Sequence, residues 1–204
     1  LNYTGENNLS DQQLVDQVLS GDTQCFGIII KKTERLVAQI VFKMVSNSED
    51  RKDVAQDIYL KAYKGLPGFK FQSRLSTWIG KISYNTCLGY LEKRKLHLLP
   101  PVSESDEVDD LSFESLVNKS VSMEVNEVEA FIFQKERSEI LTMEIELLPP
   151  LYKTLITLYH NEELSYAEIA QITALPEGTV KNYLFRARKN LRENLLRKYN
   201  RQAL

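Results

Sequence analysis

Apolar residues recur along this chain with helical spacing, and no sustained period-2 alternation interrupts them. A first helix starts at Ser10. Gln13 lies three residues on, as in a capping box, and Leu9 and Leu14 suit a hydrophobic staple. That helix stops at Gly21. A second runs from about Asp22 to Val45, apolar at Phe26, Ile29, Ile30, Val37, Ile40, Val41 and Met44. Ser48, Glu49 and Asp50 open a third, which runs to about Lys64. After the loop Gly65–Arg74, a fourth spans about Ser76 to Lys95, with Leu75, Trp78, Ile79 and Ile82 on one face.

The pattern lapses over Leu96–Glu136, a stretch that begins Pro-containing, Ser-rich and acidic. Its composition predicts a flexible linker with a short helix near its end. Helical spacing then returns in four segments: Arg137–Leu148, Leu151–His160, Ser165–Ile172 and Glu177–Lys198. Pro149 and Pro150 separate the first two, and Pro176 precedes the last. The predicted fold class is all-α.

Composition changes this picture in one respect. The whole chain of 204 residues has a net charge of −2, which is unlike a nucleic-acid binder. Between Val102 and Ala130, however, nine acidic residues face only Lys119. Elsewhere 25 basic residues stand against 19 acidic, a balance of +6. The chain therefore reads as two mildly basic blocks joined by an acidic segment. No apolar run reaches the ~20 residues of a bilayer span, and no secretory signal pattern opens the chain, so a cytoplasmic protein is expected. Cys25, Cys87, His97 and His160 are scattered, which argues against a disulfide or a metal site. No catalytic motif, phosphate loop or cofactor motif is present, so neither an enzyme nor a cofactor is expected.

The stretch LSYAEIAQITALPEGTVKNYLFRARKNL has the layout of a helix-turn-helix. Ala170 is small where two helices cross, and Leu175 and Val180 suit the wedge between them. Ala174 occupies the turn position where glycine is common, because a left-handed backbone helps there. On the last helix Val180, Leu184, Ala187, Leu191 and Leu195 fall within an arc of about 80°. Lys181, Phe185, Arg188, Lys189 and Arg192 fall on the neighbouring arc, with Asn182 and Arg186 beyond. One stripe packs and the next is basic. Arg and Lys reach phosphates, and Arg and Asn also make paired contacts to base edges. The plainer alternative is a solvated basic face.

The third helix buries Val54, Ala55, Ile58, Tyr59 and Ala62. Its other face carries Asp53, Gln56, Asp57, Leu60 and Tyr63. Apolar anchors among carboxylates suit a basic protein partner. Packing of Leu60 and Tyr63 on a neighbouring helix is the other reading. In GFKFQSRLSTW, the aromatics Phe69, Phe71 and Trp78 alternate with Lys70 and Arg74, as suits unstacked bases. Core packing is the competing reading for each ring, and the stronger one for Trp78. Lys93, Arg94 and Lys95 are either helix C-terminal dipole partners or phosphate contacts.

Taken together, DVAQDIYLKAY, RLSTWIGKISYN, the acidic linker and the helix-turn-helix resemble bacterial alternative sigma factors of the sigma-70 family, extracytoplasmic-function (ECF) group. The resemblance covers about Leu9–Lys95 and Arg137–Tyr199. Leu75 stands where Phe is frequent before the Thr-Trp pair. The resemblance implies two helical domains, a sigma domain 2-like bundle (9–95) and a sigma domain 4-like helix-turn-helix (137–199), joined by an acidic flexible linker (96–136). It implies a transcription initiation factor whose partners are core RNA polymerase (β′ and β subunits), promoter DNA and an anti-sigma factor. Asp53, Gln56, Asp57 and Leu60 would dock on β′. The loop Gly68–Leu75, through Phe69, Phe71 and Arg74, and the start of the fourth helix would hold the opened minus-10 strand, while Asn85 and the basic residues of that helix would touch nearby backbone. Lys181, Asn182, Phe185, Arg186, Arg188 and Lys189 would meet the minus-35 duplex. The resemblance implies elements about one and a half helical turns apart, roughly 55 Å at ~34–36 Å per turn, within reach of a linker that extends to roughly 135 Å. A stand-alone dimeric helix-turn-helix regulator is the alternative, but it leaves the third helix and the aromatic loop without a task.

Overall fold

The computed structural model describes residues 9–94 and 138–199, and among these every regular element is helical. The linker expectations lie outside the described residues. The N-terminal bundle comprises α1 (Asp11–Leu19), α2 (Thr23–Met44), α3 (Ser48–Gly65), a 3-10 turn (Leu66–Gly68) and α4 (Leu75–Lys93). The C-terminal helices are α5 (138–146), α6 (Pro150–His160), α7 (Tyr166–Thr173) and α8 (Glu177–Tyr199).

Local signals set most boundaries. Ser10 Oγ accepts the Gln13 N–H, and Gln13 Oε1 accepts the Ser10 N–H, closing the capping box. Asp22 and Asn47 cap α2 and α3 by a single bond each, Asp22 Oδ1 accepting the Gln24 N–H and Asn47 Oδ1 the Glu49 N–H. α4 begins one residue before the expected start. No side chain caps it locally. Instead the Leu75 N–H donates to Asp11 Oδ2 of α1 at 3.0 Å. Leu75 itself is buried, so its departure from Phe bears on packing beneath the loop.

α2 is the central helix. Its buried stripe, from Cys25 through Ile29, Leu36 and Ile40 to Met44, packs on α1, α3 and α4. α3 buries the narrower stripe Val54, Ile58 and Ala62. α4 buries a much broader arc that includes Ile79, Gly80, Ser83, Tyr84 and Cys87. A helix buried so widely has neighbours on two sides. One side of α4 faces its own bundle and the other faces α7. α6 is similar, buried from Leu151 to Leu158 almost all round between α2 and α8. The two blocks thus pack directly on each other.

Ion pairs rim that packing. Arg35 meets Glu162 at 3.0 Å, Arg74 meets Glu168 at 3.2 Å, and Lys43 pairs with Glu146. Burial pushes the Glu146 carboxyl upward, but Lys43 and Lys153 outweigh it and hold it below its ordinary value of 4.5. A depressed folded value stabilises above the unfolded one and is lost as pH falls through it. Thermal melts should therefore show a falling midpoint below about pH 4.5, and Glu146→Gln should flatten part of that fall.

Alanine in place of glycine at 174 leaves open a slightly different type of turn, but the backbone keeps the left-handed form. Ala174 lies in the left-handed region, φ 55° and ψ 27°. That conformation costs a residue with Cβ about 1–2 kcal/mol. Ala174→Gly removes the cost but frees the unfolded chain by about 0.4–1 kcal/mol. A net gain of about 0.5–1 kcal/mol is the expected result in denaturant unfolding.

Candidate nucleic-acid and protein interfaces

The outward ridge of α3 is set by the stripe beneath it. With Val54, Ile58 and Ala62 inward, Asp53, Gln56 and Asp57 are exposed, and Leu60 is 58% exposed. Tyr63 instead meets Phe26 of α2 edge-on at 5.0 Å. The packing alternative thus applies to Tyr63 and not to Leu60. Asp57 pairs with Lys61 one turn on, at 2.7 Å. Asp53, Asp57 and Asn85 line one groove between α3 and α4. At its far end Asp50 accepts from Tyr90 at 2.7 Å and pairs with Arg94 at 2.8 Å. Arg94 therefore has a structural partner. Lys95 lies outside the described residues.

The aromatic loop is built on one buried ring. Phe69 is 8% exposed, with Phe71 at 4.7 Å and Trp78 at 5.0 Å between ring centroids. The two loop rings, which sequence left undivided, separate here. Phe69 is held inside. Phe71 is 42% exposed on a left-handed backbone, φ 55°. A non-glycine residue adopts that conformation at a cost on the order of 1–3 kcal/mol, and such strain concentrates at working sites. Beside the loop is a cleft of about 360 Å³ lined by Lys70, Gln72, Ser73, Trp78 and Lys81. Gln72 falls within the expected loop and Lys81 among the basic residues of the fourth helix, though the sequence singled out neither by itself. Lys81 sits one turn before Asn85 on α4, a spacing that could have drawn attention to it.

The helix-turn-helix is held by a second capping box. Ser165 Oγ accepts from the Glu168 N–H, and Glu168 Oε2 accepts from the Ser165 N–H at 3.0 Å. The Ser165 N–H is the main cause that lowers the Glu168 carboxyl. Burial opposes it, and the Ser165 hydroxyl and Arg74 assist. On α8, Val180, Leu184 and Ala187 are fully buried, as the stripe predicts. Leu191 and Leu195 are only partly covered and line an apolar groove of about 580 Å³ with Leu141, Ile145 and Ile156.

The basic arc of α8 is ordered by two tyrosines that sequence reasoning missed. Tyr159 of α6 and Tyr166 of α7 stack at 5.0 Å with planes 17° apart. Lys181 Nζ lies 5.4 Å from the Tyr166 centroid, and Arg188 Cζ lies 5.0 Å from that of Tyr159. Each cation lies within cation–π range of a ring. Arg188 Nη2 also reaches His160 Nε2 at 3.2 Å. Burial, with Arg188 beside it, lowers the His160 pKa, so the ring is neutral at pH 7 and can accept that hydrogen bond. Lys189 is exposed, while Asn182, Phe185 and Arg186 are half-buried.

Burial pushes the Cys87 thiol up to about 12, which makes it a poor nucleophile. Among the described residues no cluster of His, Cys, Asp or Glu could hold a metal ion, and no helix is long and apolar enough to cross a membrane.

Residues 29–97 match the Sigma-70 region 2 family, and residues 138–191 match the Sigma-70, region 4 family. Over 181 residues the chain is 35% identical to the ECF RNA polymerase sigma-E factor of Escherichia coli (strain K12), covering 89% of this chain and 92% of that protein. It is 31% identical over 179 residues to the RNA polymerase sigma-H factor of Pseudomonas aeruginosa, covering 88% and 90%. Among solved structures, CnrH in complex with the cytosolic domain of CnrY gives a TM-score of 0.58 at 20% identity, covering 92% of this chain and 98% of that one. The sigma factor RpoE in complex with the anti-sigma factor NepR, from Bartonella quintana, gives 0.57 at 19% identity, covering 85% and 98%. At those identities the likeness concerns the fold. A stand-alone regulator is not favoured, because the region 2 match accounts for the bundle such a reading leaves idle. With regions 2 and 4 in order on one all-helical chain, and relatives of one kind along most of its length, the protein belongs to the sigma-70 family, ECF group, and serves promoter-directed transcription initiation.

Proposed function

We propose a division of labour among three surfaces. The exposed α3 ridge, Asp53, Gln56, Asp57 and Leu60, docks on the β′ subunit of core RNA polymerase. The cleft beside the 68–75 loop holds the opened minus-10 strand. There Phe71 offers its ring to an extruded base, Phe69 supports that ring from beneath, and Arg74 and Lys81 follow the backbone, which Asn85 meets one turn further along α4, outside the cleft. α8 enters the minus-35 major groove with Lys181, Asn182, Phe185, Arg186, Arg188 and Lys189. The tyrosine pair keeps Lys181 and Arg188 extended toward that duplex. The apolar groove between α5 and α8 is the surface we assign to the β subunit. Residues 96–136 tether the two regions, and the protein works in the cytoplasm. An anti-sigma factor is a further proposed partner, supported by the solved RpoE complex.

One observation carries this reading. Phe71 is held in a strained left-handed conformation that leaves its ring open beside a cation-lined cleft. Phe71→Ala should leave duplex minus-35 binding unchanged. It should reduce strand opening at the minus-10 element about 5- to 150-fold, the loss of ~1–3 kcal/mol of stacking. Phe71→Trp should retain most of it. Permanganate reactivity of the opened strand measures this. Unchanged opening by Phe71→Ala would remove the ring from the mechanism.

A further inference from the structure

On α8 the packed stripe runs out before the helix does. Beyond Ala187, Leu191 and Leu195 are only partly covered and Leu196 is exposed. With Leu141 and Ile145 of α5 and Ile156 of α6 they wall the groove of about 580 Å³. That volume is typical of small-molecule sites, which are mostly apolar with a few polar groups at fixed places.

Here the polar groups gather at one end. Arg188 meets His160 at 3.2 Å, Asn161 follows His160, and Arg192 lies one turn beyond Arg188. Arg188 is engaged by His160 and by the Tyr159 ring. Arg192 is exposed and makes no ion pair among the described residues. The other end is bridged. Past Leu195 and Leu196, Lys198 of α8 donates to Glu144 of α5 at 2.7 Å and joins the two walls. The Glu144 side chain is 3% exposed, and its Oε2 is buried with no hydrogen-bond partner among the described residues. A buried carboxylate at that end repels a second anion, so negative charge entering the groove is steered to the arginine end. An extended peptide would leave its backbone groups unpaired against these walls. An alkyl chain with one charged head matches both the walls and the cationic end.

We propose that the α5–α8 groove binds a single-chain anionic amphiphile, its tail between Leu141, Leu191 and Leu195 and its head against Arg192 and Asn161. The ligand shares the surface assigned above to the β subunit, so its binding withholds region 4 from polymerase. That regulatory consequence rests on the β assignment, whereas the site itself does not.

Calorimetric titration of the full chain with decanoate, kept below its micelle concentration, tests the site. Decyl phosphate and decanol are the companion probes. At least one anion should bind once per chain, and a preference between the two identifies the head as carboxylate or phosphate. Decanol, which lacks the charge, should bind about 10- to 100-fold more weakly than the preferred anion. Arg192→Glu should bring that anion down to the level of decanol and leave decanol unchanged. Leu141→Trp fills the groove from an exposed position and should abolish binding of all three, with an unchanged circular dichroism melt. Equal binding of decanol and the anions, undiminished binding by both variants, or uptake only above the micelle concentration would overturn the proposal. Core polymerase should compete with the bound anion. Equal binding by the free chain and by the holoenzyme would support the site and refute the assignment of this groove to β.

Discussion

Replacing Asp53 and Asp57 together by arginine is expected to abolish binding to core polymerase while leaving the helical fold intact. Both carboxylates stand on the exposed ridge of α3, and the stripe that holds α3 in the bundle lies opposite. The Asp57–Lys61 pair lost in the variant is half-exposed, so it contributes at most about 1 kcal/mol. Arginine at 57 adds a like-charge i,i+4 contact with Lys61 of about 0.2–0.5 kcal/mol. The binding loss is far larger. Truncating one member of a buried interfacial charge pair costs about 2–5 kcal/mol, and reversal at two positions adds repulsion. A pull-down with core enzyme, alongside a circular dichroism melt, separates the two effects. Normal capture by a folded double variant would refute the assignment of this ridge.

Arg186→Ala is expected to weaken recognition of the minus-35 duplex by about 1–3 kcal/mol if the guanidinium contacts one base through two hydrogen bonds. The half-buried Arg186 lies one turn beyond Asn182 on α8, on the side away from the stripe of Val180, Leu184 and Ala187. That position suits an edge contact. Competition between the specific duplex and unrelated duplexes measures it. A uniform loss across all sequences would make Arg186 a phosphate contact, and the reading of base edges would then fall to Asn182.

Sequence carried the local structure well, because the forces that start and stop these helices act between near neighbours. The boxes at Ser10–Gln13 and Ser165–Glu168 formed as their spacing predicts. Ala174 took the left-handed turn although it is not glycine. The miss at the start of α4 has the opposite cause. Its first amide is satisfied by Asp11, 64 residues away, and no periodicity records such a partner. The site divides along the same line. The α3 ridge and the basic arc of α8 follow from helical angle alone. The separation of Phe69 from Phe71 depends on one backbone angle in a loop. The Tyr159–Tyr166 stack joins two helices across a turn, and the contact of Ile172 with Gly80 joins the two ends of the chain.

That last contact has a consequence for how relatives of this chain diverge. A methyl group at position 80 would lie 3.0 Å from Ile172 Cδ1, so Ile172 has to give by a few tenths of an ångström and packing couples the two positions. A side chain gained at 80 should appear together with a smaller one at 172, or in lineages that have given up the contact altogether. Paired substitution at two sites 92 positions apart in the chain would then record selection of this contact between the two regions.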